Sequence, residues 1–468
     1  MTDETGCRLA TFCYSGSMTA TRALSEFVAV TRLADLPADV VARGSLILAD
    51  CVGCIVAGCA APEMRRLVAL EANRGKPAAT ALGTAVRLAE DAAAYVNGTA
   101  GTWHDLDEGN LSTRTHAAIQ IIPAALAKAE AHNLSGARLL EASILAYEAG
   151  ARLWRATESR LAVHPHGTYG PLAAAFALAK LRSDDGAAIE RAVNIAMTLG
   201  IAASRNTLND GATVRNIYTG HSGRAGFQAL ALRDAGFTGE ADAAASVLGN
   251  IYGSAFDPVV ATTGLNSTWW IRRNYFKRFA AGRYAHGALD LVEVLAGQLG
   301  TRLAPEFVER IEIETFFMAA TLGQQSVRTP FGCRFSIPML VAQRIAHGPM
   351  PLTDDGTRAF ADPIVRELAG RVFVSEDNVA TAAYPDRQPT RLTIVLRDGG
   401  SQTVASERML GESDQALPSG VLEAKFVALT EASWGDAAAN VWRDLNRIAD
   451  VPDVGQLIAG WRSICRTP

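Results

Sequence analysis

Residues Asn97-Gly98-Thr99-Ala100-Gly101-Thr102-Trp103-His104-Asp105-Leu106-Asp107-Glu108-Gly109-Asn110, followed by Thr115-His116, gather imidazoles and carboxylates at the seam between two apolar runs, 92–96 and 119–129. Ionisable groups between buried helices are costly unless they are paired or used. This seam is therefore the first place to look for chemistry. If the helix runs on past Gly101, Asp105 and Glu108 (three apart) share a face with His104, four before Glu108. His116 opens the next helix. A further imidazole pair stands in Ala162-Val163-His164-Pro165-His166-Gly167-Thr168, an irregular turn before an alanine-rich helix. His116 and His164 suit general acid or base work near neutral pH. One such histidine alone is more often a helix cap or a hydrogen-bonded core group. Several at helix starts beside carboxylates point to a site.

A second group is cationic. Arg215 and Arg224 are followed by Phe276-Lys277-Arg278-Phe279-Ala280-Ala281-Gly282-Arg283-Tyr284-Ala285-His286. Cations among aromatic and small residues at a domain boundary suit a di- or tricarboxylate; the plain alternative is a solvated basic face. His104, Asp105, Asp107, Glu108, His164 and His166 also offer oxygen and nitrogen ligands for a metal, but no pair has a specific zinc spacing, so no metal site is assigned. There is no Walker loop, no GxGxxG after a strand and no GxSxG elbow. That argues against nucleotide cofactors and serine hydrolase chemistry. Cys51-Val52-Gly53-Cys54 lies inside an apolar helical run without a second cysteine pair, and reads as small buried residues.

The elements that must hold these residues follow from length and periodicity. A chain of 468 residues exceeds one ordinary core. Apolar residues are 49% and charged residues 20%, as in a globular protein in water, and the net charge of -4 argues against nucleic acid. The acidic start Met1–Glu4 has no apolar signal core behind it, and the apolar stretch Leu46–Ala61 is short and interrupted by Asp50. A cytoplasmic protein, with no membrane span, is expected. Seven dispersed cysteines do not suggest a disulfide framework. Leu36-Pro37 opens a long helix, and further helices are expected near 87–103, 117–132, 135–155, 168–182, 186–203, 221–235 and 239–248. The character changes near residue 265. Phe307–Thr315 and Arg391–Arg397 alternate like strands, and Asp398-Gly399-Gly400 leads into a hairpin partner at Ser401–Val404. Helices near 284–298, 332–347 and 357–370 lie between them. After about 410 the chain is helical again, from Ser419 to Leu429 and from Trp434 to Ile448. The expected fold is mostly α: an all-helical domain of residues 1–265 and 410–468, with an α+β lid of residues 266–409 inserted in it.

The order of these motifs resembles the MmgE/PrpD family over nearly the whole chain. Asn97–Glu108 looks like its NGTAAHALDFDD segment, His164–Thr168 its HPTGT turn, and Val214–Gly220 stands in the place of TKPLHxG. Lys277–His286 is similar to KxYPxCRYxH, Arg334-Phe335-Ser336-Ile337-Pro338 to AKFSLP, and Glu423-Ala424-Lys425-Phe426 to LxxKF. Leu33–Pro37 with Ala49–Gly53 looks like the opening helix. The resemblance implies a cleft between a helical domain and a lid, no cofactor, and a homodimer acting on a small polycarboxylate. It places catalytic roles on Asp105, His116, His164 and Lys277. Arg215 and Arg283 would hold substrate carboxylates, with His104, Glu108 and Tyr218 also against substrate. Four positions depart: Arg215 and Tyr218 replace a Lys and a His, Gly109 a Thr, and Ala117 the Pro after the first His. The chemistry implied is proton abstraction beside a carboxylate, most simply in a dehydratase. An epimerase or a decarboxylase on a related carboxylate is the runner-up within the same carbon-acid chemistry, and a binding-only member is the alternative of another class.

Overall fold

The computed structural model describes residues 18–418 and 420–466. The acidic start, Cys7, Cys13 and Ser419 lie outside the described residues.

Helix α1 (Ala38–Cys59) is apolar on nearly every face and is buried in the helical layer over most of its length. At 22 residues and mean hydropathy 1.9 it is long and apolar enough to cross a membrane, yet 78% of its most apolar window is buried inside the protein. It is a core helix. Against it pack α2 (Glu90–Gly101), α3 (Ala117–Ala131) and α4 (Gly136–Arg155); α5 (Gly170–Leu181) packs on α3 and α4, and α6 (Ile217–Asp234) on α2, α3 and α5. Two glycines set how closely α2 is held. A Cβ on Gly58 would stand 1.9 Å from the Ala100 carbonyl oxygen, and one on Gly98 would stand 2.8 Å from Gly220 Cα. Both approaches need a residue without a side chain. They clamp α2 between α1 and α6 and so fix the point where α2 ends.

One apolar core gathers residues from Ala20 to Phe276 and takes in Phe426, Trp434, Leu445 and Trp461 from the C-terminal helices, beginning with α7 (Val421–Trp434). A separate core runs from Ala281 to Leu396. It lies on a four-stranded sheet of β1 (Val308–Thr315), β2 (Val372–Glu376), β3 (Thr390–Leu396) and β4 (Ser401–Ser406), in the order β2-β1-β3-β4. The chain is thus mostly α with an α+β second part. In β1, Val308, Ile311, Ile313 and Thr315 are buried while Glu309, Glu312 and Glu314 face out, the alternation seen in the sequence. β3 and β4 form the expected hairpin, Gly399 supplying a φ of +88° at the turn.

Three expectations differ. β2 pairs parallel to β1 and is absent from the sequence reading. It is short, and Phe373 faces solvent, so it lacks a clean alternation. The helix expected over 357–370 is two, Thr357–Ala361 and Pro363–Ala369, because Pro363 begins a new helix capped by Asp362. The helix near 239–248 is displaced to Ala244–Tyr252 and is π-helical.

Candidate functional site

α2 stops at Gly101, so His104, Asp105 and Glu108 do not share a helical face. Cations capture the carbonyls that would have continued the helix. Lys277 Nζ donates to Asp105 O at 2.8 Å, Lys425 Nζ donates to Leu106 O at 2.9 Å, and Arg215 donates to Thr102 O at 3.4 Å. Lys425 comes from α7 and also pairs with Asp50 of α1 at 2.6 Å, tying the C-terminal helix to the loop. Asp105 takes a left-handed φ of +53°, which Asp tolerates better than most residues. The turn sends successive side chains in different directions.

Asp105 is buried and accepts from two cations, Arg215 at 2.7 Å and Lys277 at 3.0 Å. Burial alone would raise its pKa, but Lys277 and Arg215 hold it below the usual carboxylate range. Asp107 points elsewhere and meets His116 Nδ1 at 2.9 Å. Burial opposes its ionisation too, and His116 and then Lys277 outweigh it. His116 Nδ1 also lies 2.8 Å from Glu108 O. Both neighbours of Nδ1 are acceptors, so the neutral ring carries its proton there and leaves Nε2 free to accept one. His164 is the opposite tautomer. Its Nδ1 accepts the backbone N–H of His166 at 3.0 Å, so its proton sits on Nε2. Burial, then Arg215 and His116, push the His164 pKa well down and keep the ring neutral. His166 packs edge-on between the two rings, at 4.8 Å from His116 and 4.5 Å from His164.

These groups face one cavity of about 320 Å³ where the helical layer meets the α+β part. Asp105, His116, His164, Arg215, Lys277 and Arg283 line it. The arrangement can bind a carboxylate at the Arg215–Lys277 end, accept or return a proton at His116 Nε2, and donate a hydrogen bond from His164 Nε2. Arg283 lies at the wall with its charge matched by Glu412 at 2.7 Å.

The remaining expected residues stand outside the cavity. His104 points the other way, its Nδ1 3.2 Å from Arg334, and lines a second cavity of about 780 Å³. Burial and Arg334 lower its pKa to about 4. Glu108 lies behind the site, where Oε1 accepts from Ala118 N at 3.1 Å and Oε2 accepts from the Tyr147 hydroxyl at 3.2 Å. Tyr218 supports the His164 ring from behind at 5.8 Å. Arg224 is paired with Glu71 at 2.6 Å, over Tyr95. The metal alternative is dispersed in the same way. Among the described residues only Asp107, His116 and His166 bring donor atoms together, within 4.8 Å, and the Asp107–His116 hydrogen bond occupies part of that set. Cys51 and Cys54 are buried thiols whose pKa burial pushes well up, which makes them inert.

The sequence reading missed Tyr275. Its hydroxyl lies 3.4 Å from His116 Nε2, and its ring forms part of the wall. It explains Gly109: a Cβ there would stand 2.3 Å from the Tyr275 hydroxyl. Tyr275 takes the space that a larger residue at 109 would fill. Its position two before Lys277 was the available signal, since extended chain puts alternate residues on one side.

Glu108 gives a pH-dependence that can be measured. Burial raises its pKa to about 8, from an unfolded value of 4.5. The stability tied to its neutral form is full below the unfolded value and is lost as pH rises through the folded one. Glu108→Gln cannot ionise and keeps the Ala118 and Tyr147 contacts. The melting temperature of this variant is expected to fall less than the parent's between about pH 5 and about pH 9. Equal slopes in thermal melts would mean that Glu108 ionises freely in the fold.

The MmgE/PrpD N-terminal domain matches residues 22–254, and the MmgE/PrpD C-terminal domain matches residues 279–450. Cis-aconitate decarboxylase of Aspergillus terreus is 25% identical over 91% of this chain and 92% of its own length. Cis-aconitate decarboxylase-like protein oryM of Aspergillus oryzae is 26% identical over 63% of this chain and 65% of its own. With both domains matched in order across the helical layer, the cavity and the sheet, this chain belongs to the MmgE/PrpD family.

Proposed function

We propose that this protein is a lyase for a small di- or tricarboxylate and works by moving a proton at the carbon next to a carboxylate. The observation that carries this is Asp105 shared between Arg215 and Lys277, facing His116 and His164 across one cavity. Two cations share one carboxylate, so one positive charge is left for a substrate carboxylate. Charge that builds up on that carboxylate during the reaction meets fixed, buried cations. The neutral His164 donates its Nε2–H to the same developing oxyanion, a role open to an imidazole too desolvated to be charged. His116 Nε2 carries the proton to or from carbon, and Asp107 stabilises the imidazolium that forms.

Loss of carbon dioxide is the first reading, supported by the names of the fungal relatives. His116 Nε2 first takes a proton from solvent; the C–C bond pair passes into the conjugated carboxylate, CO₂ leaves, and the carbon takes that proton, which returns the ring to its neutral Nδ1–H form. Loss of water is the second reading, favoured by the Tyr275 hydroxyl at 3.4 Å from His116 Nε2. There His116 takes the carbon proton, and Tyr275 can donate towards the departing hydroxide.

Proton NMR in D₂O tests this with citrate, 2-methylcitrate, cis-aconitate, malate-type acids and N-substituted aspartates. The expected result is a new product whose protonated carbon carries deuterium, or exchange of a substrate C–H. A product one carbon shorter marks decarboxylation, and a vinyl product with all carbons marks dehydration. Exchange with inverted configuration and no product would replace both by epimerisation. No exchange and no product with any polycarboxylate would overturn the proposal.

A further inference from the structure

The inner end of the cavity accounts for one substrate carboxylate. Asp105 offsets one of the charges on Arg215 and Lys277, and Glu412 offsets Arg283. The mouth is different. Arg114, Arg160 and Arg205 all line it. Arg114 donates to Thr157 O at 2.6 Å, and Arg160 donates to the Ile251 and Asn250 carbonyls, each at 3.2 Å. Carbonyls orient these guanidinium groups without cancelling their charge. Glu158, beside Arg114, is exposed and makes no ion pair among the described residues.

Arg205 is the one whose guanidinium is uncommitted. It is half-buried, and among the described residues its side chain has neither an ion-pair nor a hydrogen-bond partner. Its backbone, however, is fixed. Arg205 N donates to Ala162 O at 2.9 Å, His164 N donates to Ala203 O at 2.8 Å, and Val163 and Ser204 form an antiparallel bridge between these bonds. Arg205 and His164 thus sit on paired segments, and both face the cavity. A guanidinium carried on a fixed backbone, half-desolvated and without a partner is a ready receptor for a carboxylate.

We infer that Arg205 binds a further carboxylate of the substrate, at the mouth of the cavity, and so selects tricarboxylates over dicarboxylates. The inference rests on the carboxylate reading above and deepens it. One carboxylate lies against Arg215 and Lys277, the reacting carbon lies near His116 and His164, and a branch or tail extends to Arg205.

The test compares two unreactive probes by calorimetry on the full chain. Propane-1,2,3-tricarboxylate and glutarate share one carbon chain and differ by one carboxylate. The parent is expected to bind the tricarboxylate more tightly by about tenfold, in line with one charge-assisted contact. Arg205→Gln is expected to remove that preference while changing glutarate binding by less than about threefold, and Arg205→Lys to restore part of it. Thermal melts of both variants establish that the fold is intact. Equal loss for both probes would reduce Arg205 to general attraction, and no loss for either would make it a bystander; each result overturns the inference alone. If the parent binds neither probe, the carboxylate reading fails and takes the inference with it.

Discussion

Asp105→Ala is expected to lower folding stability by about 3–5 kcal/mol and to reduce turnover to background. The carboxylate is 1% exposed and accepts from Arg215 at 2.7 Å and Lys277 at 3.0 Å. Removing it leaves two cations, 3% and 1% exposed, facing each other without a counter-charge. That is the costly way to break a buried ion pair, since the remaining charges keep their desolvation and gain repulsion. Lys277 would also lose one of its two acceptors on Asp105, and the left-handed turn one of its anchors. Removing one cation as well should relieve most of the strain. Asp105→Ala with Lys277→Met is therefore expected to be more stable than Asp105→Ala alone and still inactive. Urea unfolding of the two singles and the double measures the coupling. A single variant within about 1 kcal/mol of the parent would show that the three groups do not form the buried unit described. The same pairing sets the acid response. Asp105 has a lowered folded pKa, so its contribution is present above the ordinary carboxylate range and is lost as pH falls through the lowered value.

Residue types made much of this site legible in the sequence, and backbone direction hid the rest. Lys277, Arg215, His116 and His164 could be picked as a cationic pair and two imidazoles, and the structure brings them to one cavity. Sorting the carboxylates was beyond periodicity. A helical continuation past Gly101 puts Glu108 beside Asp105, whereas the observed turn places Asp105 on Arg215 and Asp107 on His116. Cations from distant parts of the chain impose that turn by taking its carbonyls, Lys425 of α7 among them. His104 turns away from the cavity for a similar reason: its partner, Arg334, is 230 residues away on the other side of the loop. Arg205 carried no local signal, because its placement depends on a single bridge between two irregular segments. The fold shows the same division. The alternation of β1 and the hairpin of β3 and β4 were readable, while β2 depends on a parallel partner that no short pattern reveals.

His116→Ala is expected to lower kcat by about 10²–10⁴ with little effect on the fold. Its ring is 18% exposed and contributes to the cavity wall more than to a core. The stronger test of its role is the residue behind it. Asp107→Asn keeps the shape but can donate to Nδ1, which would move the ring proton to Nε2 and block the atom that must accept one. Glu108 O still draws the proton to Nδ1 at 2.8 Å, so the two tautomers compete. The expected loss in kcat is then about 10-fold or more but below that of His116→Ala, with KM little changed. Added imidazole separates the two variants. It can enter the space left by His116→Ala and restore part of the rate, but it cannot correct a ring already present in the wrong tautomer. Rescue of His116→Ala without rescue of Asp107→Asn would fix His116 Nε2 as the proton-carrying atom and Asp107 as its orienting partner. An Asp107→Asn variant with the parent's kcat would remove Asp107 from that role and leave the Glu108 carbonyl as the only group holding the tautomer.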